Sequence, residues 1–308
     1  MKTKLVVSVG SDRYDSSVRR MQEHTFRIGE RTLNYAVGPE NGPPLVLFHG
    51  VTRCWRDWNP LLEALTERWQ VLALDHRGHG RSDRAAPRYR VIDFASDAVE
   101  FLDACIPKPA VVIGHSLGAM VAALVAAERP RGVHALILED PPGTTLAEGI
   151  GRSLFHLQFS NMVPLLAGTP DLETLVRDLS RMEVRHPRDG TVVRFGELRD
   201  PAAIRFGAEC LLQMDPEVIG PLVQGRWLED LDWFGALPKI ECPGLLLRAD
   251  PACGGMLNEA EANRITSLLP NCKRIDFPGV PHAIHSNRPE KMLALVTGFL
   301  EKRPLPGT

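Results

Sequence analysis

The sequence predicts an α/β protein built on a mostly parallel sheet and interrupted by a helix-rich insertion. From position 45 to 140, short unbroken apolar runs alternate with helix-forming segments. Strands buried on both faces read as continuous apolar runs, the pattern of a parallel sheet covered by helices. From Pro141 to Pro243 no comparable apolar strand occurs, and at Gly244 the alternation resumes. An insertion between two strands of one sheet is the simplest organisation that accounts for all three observations.

The elements follow in order. Residues 1–22 are polar after the first few and lack a useful period, so they read as an extension ahead of the fold. Strands are expected at 24–28 and 31–37, joined by Gly29-Glu30, a link short enough for a hairpin. Pro44–Phe48 is a buried strand ending in His49-Gly50, and 56–66 reads as a helix. A strand at 69–75 closes on Asp75-His76-Arg77-Gly78-His79-Gly80-Arg81-Ser82. Phe94, Ala98, Phe101 and Leu102 recur at helical spacing within 91–104. Strands follow at 110–115 and 132–140. Helices are expected in the insertion at 153–166, 171–183, 201–212 and 216–224. The chain closes with strand 244–247, helix 258–269, strand 272–277 and helix 289–302.

Composition narrows the function classes. Of 308 residues, 44% are hydrophobic, 24% charged and 6% aromatic, with a formal net charge of −2. Nothing here suggests a polyanion-binding surface. No apolar run is long enough to span a bilayer, and Leu5-Val6-Val7 is too short for a signal-peptide core, so a cytoplasmic protein is expected. The six cysteines are dispersed with no Cys-x-x-Cys pair and read as free thiols. No cofactor motif is found, and His282 and His285 lack partners at metal spacing, so neither cofactor nor metal is expected. The expected partner is a small-molecule substrate, with a homodimer allowed and no nucleic acid or membrane.

The most informative stretch is Gly114-His115-Ser116-Leu117-Gly118, between the apolar run 109–113 and the helix-forming run 119–127. A Gly-x-Ser-x-Gly pattern in a strand–turn–helix context exposes the serine hydroxyl at a sharp turn. The flanking glycines remove Cβ atoms that would collide where strand and helix cross. A serine needs a base, an acid to orient that base, and donors aimed at the oxyanion formed on attack. The base expected is His282, after the last strand, with His285 as its competitor. The acid expected is Asp250, at the end of Leu245–Ala249, with Asp140 as the alternative and Glu259 and Glu261 behind them. The oxyanion donors expected are the N–H groups of Val51 and of Leu117, the latter at a helix start. Arg53, Trp55, Phe155, Phe159 and Met162 are candidate substrate contacts.

These pieces together resemble the α/β-hydrolase fold family over roughly residues 24–302. The resemblance rests on His49-Gly50 with Trp55 and Trp58, on Asp75–Ser82, on Gly114–Gly118, and on Gly279–His282 leading into Pro289-Glu290. It implies an eight-stranded, mostly parallel sheet whose second strand is antiparallel, with a helical cap inserted after the sixth strand. The division expected is 1–22 as extension, 23–140 and 236–308 as core, and 141–235 as cap. It implies a structural role for Asp75–Ser82 and the chain order serine, acid, histidine. The family's acid usually sits in a stretch like Gly-x-x-Asp-x-x-x-Pro. Here the text is Arg248-Ala249-Asp250-Pro251, which keeps Asp140 open as the acid. Family members with dehalogenase or epoxide-hydrolase activity look similar but carry Asp as nucleophile, so Ser116 points instead to acyl transfer to water.

The function expected is therefore a Ser-His-Asp hydrolase of an ester, lactone or related acyl bond in a mainly apolar small molecule. Alternatives are carbon–carbon or amide hydrolysis on the same residues, a non-hydrolytic ligand receptor, and a cofactor-free oxygenase.

Overall fold

The structure, a computed structural model, describes residues 21–143, 150–168 and 170–303. The extension expected over 1–22 thus lies outside the described residues except at its last two positions. The chain opens with the hairpin β1 (Gln22–Ile28) and β2 (Arg31–Val37). Gly29 in its turn takes φ +58°, which a side chain would resist. Then come β3 (Pro44–Phe48), α1 (Asn59–Thr66), β4 (Gln70–Leu74), α2 (Val91–Cys105), β5 (Ala110–His115), α3 (Leu117–Glu128) and β6 (Val133–Glu139). The helix expected from 56 begins instead as a 3-10 turn, Trp55–Trp58, because Pro60 suits only the first turn of α1.

The insertion after β6 carries α4 (Phe155–Leu166), α5 (Leu172–Arg181), β7 (Glu183–Arg185), β8 (Val192–Arg194), α6 (Phe195–Leu198), α7 (Pro201–Gln213), α8 (Ile219–Val223) and α9 (Trp233–Ala236). The hairpin β7–β8 was not expected: its three-residue strands are too short to register a period in the sequence. The core resumes with β9 (Gly244–Ala249), α10 (Glu259–Leu268), β10 (Cys272–Phe277), α11 (Ile284–Asn287) and α12 (Pro289–Leu300).

Eight strands form one sheet in the order β1-β2-β4-β3-β5-β6-β9-β10. β2 runs antiparallel to both neighbours and every other pairing is parallel. Alternation along the strands divides the core. Leu45, Leu47, Val111 and Ile113 face one way, onto Trp58, Leu61, Leu62 and Met292. Val46, Phe48, Val112 and Leu136 face the other, onto α2 and α3.

The insertion is fastened to loops at the C-terminal ends of β3 and β4. The Tyr89 hydroxyl donates to Asp215 Oδ2 at 2.6 Å, and Asp215 N–H donates to Gly78 O at 2.8 Å. Arg56 meets Glu209 at 3.2 Å, and the thiols of Cys54 and Cys210 lie 3.6 Å apart. The insertion is thereby held beside the strand ends where the site forms.

Candidate active site

Among the described residues four non-glycines hold positive φ, and three of them follow adjacent strands: Thr52 (+65°) after β3, Ser116 (+55°) after β5, and Asp140 (+42°) after β6. Non-glycine residues in this region store strain, and such strain collects at functional sites. Ser116 has ψ −119° and is buried, and its N–H donates to Glu139 O at 2.9 Å. α3 starts at the next residue and is apolar on all sides up to Ala127, so most of its length lies inside the fold. A Cβ at Gly114 would overlap the Gly118 carbonyl, and one at Gly118 would overlap the Phe48 carbonyl. Glycine at both positions is what lets the helix cross so near the sheet.

The loop after β3 lies against the serine. A Cβ at Gly50 would stand 3.3 Å from Ser116 Cβ and 3.0 Å from His115 Nδ1. Leu117 is the first residue of α3, so its N–H has no acceptor four residues back. Val51 follows Gly50 in the adjoining loop. Both expected oxyanion donors thus stand on the segments that enclose Ser116.

His282 Nδ1 lies 2.6 Å from Asp140 Oδ2, and its ring packs 4.5 Å from that of His115, the neighbour of Ser116. Asp140 is fully buried, and it also accepts the N–H of Ala249 at 3.2 Å and of Met256 at 2.8 Å. A carboxylate so surrounded by donors is an acceptor for Nδ1–H, which leaves Nε2 as the basic nitrogen.

This corrects the assignment of Asp250 as the orienting acid. The Asp250 carboxylate is occupied elsewhere: Oδ1 accepts Ala252 N–H at 2.9 Å, capping the turn Pro251–Cys253, and Oδ2 accepts Gly279 N–H at 2.8 Å. These backbone donors hold it below the usual carboxylate range. Asp250 N–H also donates to Val280 O at 2.8 Å. Asp250 fastens the loop that carries His282 and does not meet its ring.

The competing histidine occupies a different environment. His285 is fully buried, its Nδ1 2.9 Å from both Glu139 oxygens and its Nε2 3.4 Å from Asp57 Oδ2. Burial alone would lower its pKa, but Glu139 and Asp57 more than reverse this and raise it to about 10. Both carboxylates sit below their ordinary values: burial opposes their ionisation, and His285, joined at Asp57 by Arg53, overcomes it. His115 goes the other way, lowered by burial to about 3. Asp57, His115 and His285 could reach a common ion, their ligand atoms all lying within 4.8 Å of one another. A ring held protonated by two carboxylates is a poor metal ligand, so this cluster reads as an ion-pair network.

The Asp75–Ser82 segment is a folded brace. Asp75 accepts Trp55 N–H at 2.7 Å, Asn34 Nδ2 at 2.9 Å and Arg81 N–H at 3.1 Å, and burial raises it to about 6. Trp55, a candidate substrate contact, is buried in this brace with its indole N–H on Glu23 at 2.8 Å. Phe159 and Met162 are likewise buried in the apolar core. None of the three lines either of the cavities beside the insertion. Phe155 does line a cavity, of about 300 Å³, between the insertion and the loop 251–258. Arg53 lies under α7 and pairs with Asp57 at 3.5 Å. Sequence reasoning missed Arg199, which lines this cavity and a second one of about 280 Å³ beside Pro281. A lone arginine between short elements carries no sequence signal.

Residues 43–208 match the model of the alpha/beta hydrolase fold. The chain belongs to the α/β hydrolase fold family. It is 25% identical over 281 residues to a 2-(acetamidomethylene)succinate hydrolase from Mesorhizobium japonicum, covering 89% of this chain and 93% of that one. A crystal structure of E-2-(acetamidomethylene)succinate hydrolase superposes with a TM-score of 0.70 at 22% identity, over 91% of this chain and 99% of the other. The enol-lactonase of Burkholderia xenovorans superposes with a TM-score of 0.65 at 17% identity, over 90% and 99%. Among the described residues no helix is long and apolar enough to cross a membrane.

Proposed function

We propose that this α/β hydrolase cleaves an acyl bond through an acyl-enzyme on Ser116, with His282 as base and Asp140 as the acid that orients it. The observation that carries the reading is the 2.6 Å contact between His282 Nδ1 and the buried Asp140, at the strand ends where Ser116 is held at φ +55°. Ser116 Oγ attacks the carbonyl carbon as His282 Nε2 takes its proton. The N–H groups of Val51 and Leu117 receive the oxyanion, and His282 then protonates the leaving group. Water, deprotonated by His282, attacks the acyl-enzyme and releases the acid and free Ser116.

Within this chemistry an amide is a second substrate reading beside ester or lactone. It is favoured by the name of the Mesorhizobium relative, which acts on an acetamido compound. Turnover of p-nitrophenyl esters, lactones and anilides by the wild type and by Ser116→Ala tests the proposal. Activity that survives in Ser116→Ala contradicts it.

A further inference from the structure

Two cavities lie behind the loops that hold the His282–Asp140 pair, and their walls reach residues next to that pair without including Ser116, His282 or Asp140. One ends at Met256, whose N–H holds Asp140, and the other at Pro281, which precedes His282. Their walls carry Arg185, Arg188, Arg199 and His186, and among the described residues lining them there is no acid. That is a marked imbalance in a chain of net charge −2.

Arg199 belongs to both walls. It is half-buried, its guanidinium lies 5.6 Å from the Phe195 ring, and among the described residues no carboxylate pairs with it. Three other arginines withdrawn from solvent are neutralised: Arg77 by Asp97, Arg56 by Glu209, Arg248 by Glu259. Burial, and then repulsion from Arg53, lowers the Arg199 guanidinium from its ordinary value, so its charge is held at a cost. A desolvated cation without a protein partner gains most from an anion delivered by a ligand. The planar fork of an arginine suits a carboxylate, which it can hold through two parallel hydrogen bonds.

We infer that Arg199 binds a carboxylate of the substrate, so that the hydrolase takes acyl compounds bearing a second, anionic carboxyl group. This rests on the proposed Ser116 chemistry for the reaction, but the binding claim can be tested without turnover. The apolar side of the same cavity, with Phe155, Val184, Phe195 and Leu198, would hold the carbon chain next to that carboxylate.

The experiment is calorimetric titration of Ser116→Ala protein with monomethyl succinate and with methyl butyrate, which differ by a carboxylate in place of a methyl group. Monomethyl succinate is expected to bind at least about tenfold more tightly, as a charge-assisted pair requires. Raised salt should weaken it while leaving methyl butyrate unchanged. Arg199→Gln in the same background should abolish the difference, and Arg199→Lys should retain part of it. Equal affinities, undetectable binding of monomethyl succinate, or a preference that survives Arg199→Gln overturns the inference. Should Arg199→Gln fail to fold, the salt series on the parent protein decides. Whether a fluorophosphonate labels Ser116 is read separately, so the acyl-enzyme can fail while carboxylate binding stands, and the reverse.

Discussion

His282 and Asp140 stand 142 positions apart in the chain and 2.6 Å apart in the fold. The neighbouring residues repeat the pairing one step deeper: Glu139 takes His285, through both its ring Nδ1 and its backbone N–H at 2.9 Å. Two consecutive carboxylates at the end of β6 thus grip two histidines three residues apart. Asp140 holds positive φ, and the two carboxylates take different partners: one histidine is placed in the core and the other beside His115, the neighbour of Ser116.

The inner pair should be read out by stability. Breaking one partner of a buried ion pair costs about 3–5 kcal/mol, so Glu139→Gln is expected to lower unfolding stability by that order. The pH dependence has a defined sign. His285 is raised from 6.5 to about 10, so its contribution is complete below pH 6.5 and is lost as pH rises toward about 10. Glu139 and Asp57 are lowered from 4.5 and 3.8, so theirs is complete above those values and is lost on acidification. Urea unfolding of the wild type against a Glu139→Gln/His285→Gln double variant should therefore differ most between about pH 4.5 and 6.5. A difference that grows from pH 6.5 to 9 would contradict the ion-pair reading.

Asp250 should behave as a loop fastener. Asp250→Ala removes two side-chain acceptors, of Ala252 N–H and Gly279 N–H, and is expected to cost about 1–2 kcal/mol. Its turnover should stay within about tenfold of wild type, far from the loss expected on removing a triad acid. Steady-state kinetics beside thermal unfolding checks both halves. A collapse of kcat with unchanged stability would return Asp250 to the catalytic site.

Ser116 should be a strained residue kept for its chemistry. A non-glycine at φ +55° stores about 1–3 kcal/mol, and glycine relieves it at an entropic cost of about 0.5–1 kcal/mol. Ser116→Gly is therefore expected to be inactive and about 1 kcal/mol more stable than wild type. Lower stability in that variant would mean the turn is unstrained.

The sheet was legible because its central strands bury both faces, and runs such as Pro44–Phe48 and Val111–Ile113 have no other use for so many apolar side chains. Ser116 and His282 stood out in the sequence because Ser116 follows directly on β5 between two glycines and His282 stands in the glycine-containing loop after β10. The acid was not fixed by the same means. Asp140 and Asp250 both end strands, and only the three-dimensional path of the loop from Phe277 decides which one meets the ring. One local sign did separate them: Asp250 precedes Pro251, a pairing that favours a turn cap, and capping is what its carboxylate does. The lining of the cavities was illegible, since Arg185, Arg199 and Met256 converge through long-range packing and share no period.

The most direct test of the Ser116–His282–Asp140 assignment is the rate at which a fluorophosphonate modifies the protein, with the adduct located by peptide mass mapping. The adduct is expected on Ser116 in the wild type, and Asp140→Asn should slow its formation by about 10⁴-fold, because the imidazole then loses its orienting acceptor. An adduct on another residue, or modification of Asp140→Asn at the wild-type rate, would contradict the assignment.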